Sequence, residues 1–67
     1  MRISYNKLWK LLIDKEMNKR DLAEKSGVSS ASIAKLSKGA NITTDVLLKI
    51  CETLHVHLED IMETIDD

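Results

Sequence analysis

Residues 18–36 read Asn-Lys-Arg-Asp-Leu-Ala-Glu-Lys-Ser-Gly-Val-Ser-Ser-Ala-Ser-Ile-Ala-Lys-Leu. Asn18 is a good N-cap, and Asp21 follows at the third helical position, where a carboxylate complements the helix dipole. Leu22 and Ala23 face inward. Gly27 ends this first short helix, because a left-handed residue is needed there. Val28 turns back into the core, and Ser29 caps a second short helix anchored by Ile33 and Leu36. The other face of that second helix shows Ser30, Ala31, Ser32, Lys35 and Lys38, and Gly39 stops it.

Working outward, helix 1 is expected over about 5–16. Leu8, Leu11, Leu12 and Met17 form one apolar face, with Trp9 and Ile13 on an adjoining one. That second face is covered either by the chain termini or by another subunit. Helix 4 is expected after Thr43, with Asp45 in its first turn and Leu47, Leu48, Ile50, Cys51 and Leu54 as apolar positions. A brief helix 5 is expected over about 58–62, with Leu58, Ile61 and Met62 facing in. The flanks, Ile3-Ser4-Tyr5 and residues 62–65, alternate roughly and could pair as short strands. No repeat, linker or low-complexity segment interrupts the chain, so residues 1–67 read as one domain.

The chain has 67 residues, no proline or phenylalanine, and only two glycines, a composition that favours an all-helical fold. A domain this small is near the lower limit for folding without staples, and a partner subunit is one source of extra stability. Cys51 is the only cysteine, which excludes a disulfide framework. With no signal sequence expected, a cytoplasmic, reducing setting follows. The longest apolar runs are too short to span a bilayer, so no membrane role is expected.

Net charge is −1 and the pI is about 6.1, values that taken alone argue against a nucleic-acid binder. The distribution argues otherwise. Residues 17–41 carry five basic side chains (Lys19, Arg20, Lys25, Lys35, Lys38) against two acidic ones (Asp21, Glu24). From residue 42 onward, Lys49 stands against seven acids. A basic front of this kind steers DNA even when total charge is near zero, whereas the acidic tail from residue 59 should lie away from a duplex.

Two short capped helices joined by Gly27-Val28-Ser29, with HTH limits at about 18–38, have the geometry of a helix-turn-helix. Small outer-face residues let the second helix, about 29–38, approach base edges in a major groove. The run Asp21-Leu22-Ala23-Glu24-Lys25-Ser26-Gly27-Val28-Ser29 resembles the Leu-Ala-x-x-x-Gly-Val-Ser core of Cro/C1-type (XRE) regulators. Ile33, Gly39, 47–51, 54–56 and 58–61 resemble that family's recognition-helix anchor, following glycine, fourth helix with its exit, and fifth helix. The resemblance extends over about 8–62 without a gap, and the N-terminal 3–9 is similar to a subgroup of very short members.

The resemblance implies an all-α, five-helix, lambda-repressor-like domain that binds double-stranded DNA, usually as a dimer, and controls transcription. Its DNA-contact positions fall on Lys19, Ser29, Ser30, Ala31, Ser32, Lys35, Lys38, Asn41, Thr43 and Thr44. A homodimer is expected, with Trp9 and Ile13 either its surface or a satellite core under the termini. The chain departs from the family at several of its positions. Lys19 replaces a glutamine, and Ser30 stands where Arg or Gln is frequent. Leu12 and Ser37 together replace an Arg–Glu pair between helices 1 and 3, so no charge is stranded, and His55 replaces a glycine. With serine and alanine on the recognition face, phosphate contacts from Lys19, Lys35 and Lys38 should lead binding. The competing reading is a protein-interaction module on the same fold, antitoxin-like or an adaptor, with little DNA readout.

Cys51 and His55 at i, i+4, with His57 nearby, have a spacing that can bind metal. Cys51, however, falls on helix 4's apolar face and reads as a buried small hydrophobe, so no metal site is expected. No nucleophile–base pair, glycine-rich phosphate loop or carboxylate pair stands out, and so short a chain leaves little room for a pocket. Neither an enzyme, nor a cofactor, nor a small-molecule effector domain is expected.

Overall fold

The computed structural model describes residues 1–66. Asp67, the last acid of the tail, lies outside the described residues. The order is β1 (Arg2–Ser4), α1 (Asn6–Asp14), α2 (Lys19–Ser26), α3 (Ser30–Ser37), α4 (Thr44–Leu54), a single 3-10 turn (Leu58–Asp60) and β2 (Glu63–Ile65). The strands pair antiparallel in the register Arg2↔Ile65, Ile3↔Thr64, Ser4↔Glu63.

The expected all-α, five-helix architecture therefore needs two corrections. The chain ends form a small sheet, and the expected fifth helix is one 3-10 turn. Its start is fixed by the His57 N–H, which donates to Asp60 Oδ2 at 2.9 Å. Propagation stops there because Ile61 must plug the core, fully buried, while the chain straightens to reach β1. Leu58, expected inside, is 37% exposed, and Met62 is half-buried. The alternation at the two flanks was thus the stronger signal.

The apolar stripes converge on one core. Leu8, Leu22, Leu36, Ile50 and Ile61 are fully buried, one from each of the four helices and one from the final turn. Each such side chain contributes roughly 1.5–3 kcal/mol relative to exposure. Leu12, where the resemblance implied an arginine, is buried as well. Ser37, its counterpart, is exposed, and its hydroxyl donates to the Ile33 carbonyl at 3.2 Å.

Helix ends follow local chemistry. Helix α1 is shorter than 5–16 because Glu16 adopts a left-handed conformation, with φ 57°, and the Met17 N–H closes onto the Leu12 carbonyl at 2.8 Å. At the end of α4, His55 takes φ 57°, ψ 46° where a glycine would be unstrained. Lys7 ties α1 to the final turn, donating from Nζ to the Glu59 carbonyl at 3.1 Å.

Two substitutions test this account. Replacing His55 by glycine should relieve the left-handed strain, a gain of about 0.5–1 kcal/mol that would raise the melting temperature by a few degrees. A fall in that temperature would contradict the assignment. Burial pushes the Cys51 thiol upward, with Asp60 adding to the shift, and pushes the Tyr5 phenol upward too. Both groups bind their protons more tightly folded than unfolded. Their stability contribution is complete below the unfolded-chain pKa values and is lost as pH rises through the folded ones. Melts from neutral to alkaline pH should therefore show declining stability above about pH 9, and Cys51→Ala should flatten the first part of that decline.

Candidate nucleic-acid interface

Everything at this surface hangs from the corner between α2 and α3. Gly27 has φ 75°, and an added Cβ there would meet nothing within 4 Å. The glycine is required by backbone conformation, not by crowding. Val28 is buried beneath it. Ser26 stitches the corner from outside, its hydroxyl donating to the Leu22 carbonyl at 2.7 Å and accepting from the Val28 N–H at 3.2 Å.

Both helices of the unit begin with a satisfied cap. The Asp21 N–H donates to Asn18 Oδ1 at 2.8 Å, and the Asn18 N–H donates to Asp21 Oδ2 at 3.3 Å, a reciprocal capping box. In α3 the Ser32 N–H donates to Ser29 Oγ at 3.2 Å. The Ser29 hydroxyl in turn donates to the Ser32 hydroxyl at 3.1 Å. Ser29 is exposed and Ser32 half-buried, so these two hydroxyls serve the cap first.

Opposite the buried Ile33 and Leu36, helical geometry puts Ala31, Ala34, Lys35 and Lys38 on one face, with Ser30 at its edge. All five are exposed. Beside this face lies an apolar groove between α2 and α3. Lys19, Arg20, Ala23 and Glu24 line it from α2, and Ser30, Ile33, Ala34, Ser37 and Lys38 line it from the α3 side. Three expected contact residues, Lys19, Ser30 and Lys38, thus meet in one place. Ala31 and Lys35 lie on the outer face without lining the groove. Asn41, Thr43 and Thr44 are exposed on the connection to α4 and at its start. Thr43 caps α4 by accepting from the Val46 N–H at 3.4 Å.

Three residues outside the expected contact set adjoin this surface. Ala34 stands four residues after Ser30 and off the Ile33–Leu36 stripe, so its exposure was implicit in the helical period. Arg20 borders the groove and reaches Glu24 Oε1 at 3.3 Å, an exposed i, i+4 pair that contributes little to stability. Trp9 is the third. Its ring lies under the Lys19 ammonium, with Nζ 4.6 Å from the ring centroid, a contact between α1 and α2 that local spacing does not reveal.

Cys51 is a buried thiol on α4, as the apolar stripe predicted. Among the described residues no helix is long and apolar enough to cross a membrane.

The family of Cro/C1-type HTH DNA-binding domains matches residues 7–67. A crystal structure of the transcriptional regulator VanUg (Form II) superimposes with a TM-score of 0.92 at 52% identity, covering 98% of this chain and 88% of that one. No curated protein matches.

The capping box makes a direct prediction. Asn18→Ala removes the acceptor for the Asp21 N–H and should cost about 1 kcal/mol, read as a lower denaturation midpoint with unchanged slope. Asn18→Asp, which keeps an acceptor, should recover most of that loss.

Proposed function

The chain belongs to the Cro/C1-type HTH DNA-binding family, and from that premise we propose that it is a sequence-specific regulator that inserts α3 into the major groove of double-stranded DNA. One observation carries this reading: the face of α3 turned away from the core is built of small residues and two lysines. Ser30, Ala31 and Ala34 let the helix backbone come close to base edges. Lys35 and Lys38 supply the charge that phosphates attract. Lys19 at the start of α2, with Thr43 and Thr44 at the start of α4, flank that face as further phosphate contacts. Asn41 lies on the loop between them.

In this reading affinity comes mainly from phosphates and base readout is modest. Serine and alanine offer single or apolar contacts, where a bidentate arginine or asparagine would discriminate more strongly. The protein acts as a homodimer, because one eight-residue helix reaches few base pairs and a second copy doubles the contacts. Ile13, 73% exposed, offers apolar surface for that association. Trp9 offers less, being half-buried with Lys19 over its ring. No catalytic step belongs to this function.

Fluorescence anisotropy on mixed-sequence duplexes tests the proposal. Binding should weaken steeply with salt, by about 0.9 log units per log unit of salt for each neutralised phosphate. Lys35→Ala with Lys38→Ala should lower that slope by roughly 2 and abolish most low-salt binding. No binding by the unaltered protein at low salt would favour the interaction-module reading instead. For the dimer, sedimentation equilibrium should show association that Ile13→Asp weakens; a monomer at all concentrations would remove this part of the proposal.

A further inference from the structure

Trp9 is the single tryptophan of the chain. It is half-buried on α1, against the core, and its exposed ring face carries the Lys19 ammonium at 4.6 Å. Lys19 is the first residue of α2, and its backbone is fixed by the reciprocal bonds between Asn18 and Asp21 just described. The lysine borders the α2–α3 groove with Ser37 and Lys38. Trp9 borders the adjoining cleft, which Ser37 and Lys38 also line. The indole therefore reaches, from the α1 side, the same end of α3 that the proposed phosphate contacts occupy.

A lysine on an exposed helix end samples many rotamers, and binding a phosphate freezes them. An aromatic face under the ammonium restricts that freedom before DNA arrives. The attraction is electrostatic and leaves N–H donors of the ammonium free for a phosphate oxygen. We infer that Trp9 is a positioning residue of the DNA-contacting surface: its ring holds the Lys19 ammonium where a backbone phosphate is bound. This inference rests on the DNA-binding reading above. It gives Lys19 a support from α1.

The experiment is a double-mutant cycle on affinity for a short mixed-sequence duplex at low salt, using the full chain. Trp9→Leu should weaken binding about three- to fivefold when Lys19 is present and not at all in the Lys19→Ala protein. Trp9→Phe, which keeps a ring, should stay within about twofold of the unaltered protein. Equal losses in both backgrounds would mean that Trp9 acts through general stability, and no loss would mean that it does not act; either overturns the inference. Tryptophan emission of the unaltered protein provides a measurement that no folding defect can confuse. It should change on saturation with duplex, and unchanged emission at saturation overturns the inference as well. Absence of any binding would sink the DNA-binding reading and this inference with it, whereas binding with additive losses sinks this inference alone.

Discussion

The left-handed backbone of Gly27 is the constraint on which the rest depends. It ends α2, turns the chain and drops Val28 into the core in the space of two residues. Without that conformation α3 could not leave the corner at an angle that buries Ile33 and Leu36 while turning Ala31 and Lys35 outward. Ser26 and Ser29 hold the corner from its two sides, one as a bridge across the turn and the other as the next helix's cap. A residue with a Cβ at position 27 would face no steric neighbour, so the cost would be conformational alone.

Around that corner the core takes a fully buried residue from each of the four helices, with Ile61 added just past the 3-10 turn, and β1 pairs with β2. Ile61 completes the core between the 3-10 turn and β2, and Lys7 fastens that turn to α1. Leu12 on α1 joins the same core directly.

The proposed DNA-contacting surface is plain on α3 and more elaborate beside it. Small residues would bring the helix close to a duplex, and the charge sits on that face at Lys35 and Lys38 and beside it at Lys19. Acidic residues of the C-terminal half, such as Glu52 and Glu59, line a separate groove with Leu48 and Leu58. A chain of net charge −1 can in this way present a cationic face to a polyanion. The Lys19–Trp9 contact links that face to α1.

Much of this was determined by the sequence alone. Asn18, Ser29 and Thr43 as caps, Gly27 and Gly39 as stops, and the apolar stripes of all four helices are local signals, each spanning at most a few turns of backbone. The family resemblance rests on the same ordered positions. What only the tertiary structure decided depends on contacts between segments distant in sequence. Whether residues 58–62 would continue as a helix was settled by β1 waiting at the other end of the chain for residues 63–65. That the Trp9 ring lies under the Lys19 ammonium follows from how α1 and α2 pack, which no periodicity encodes. Local propensity names the elements and their ends; long-range packing chooses which of several exposed-looking side chains meet.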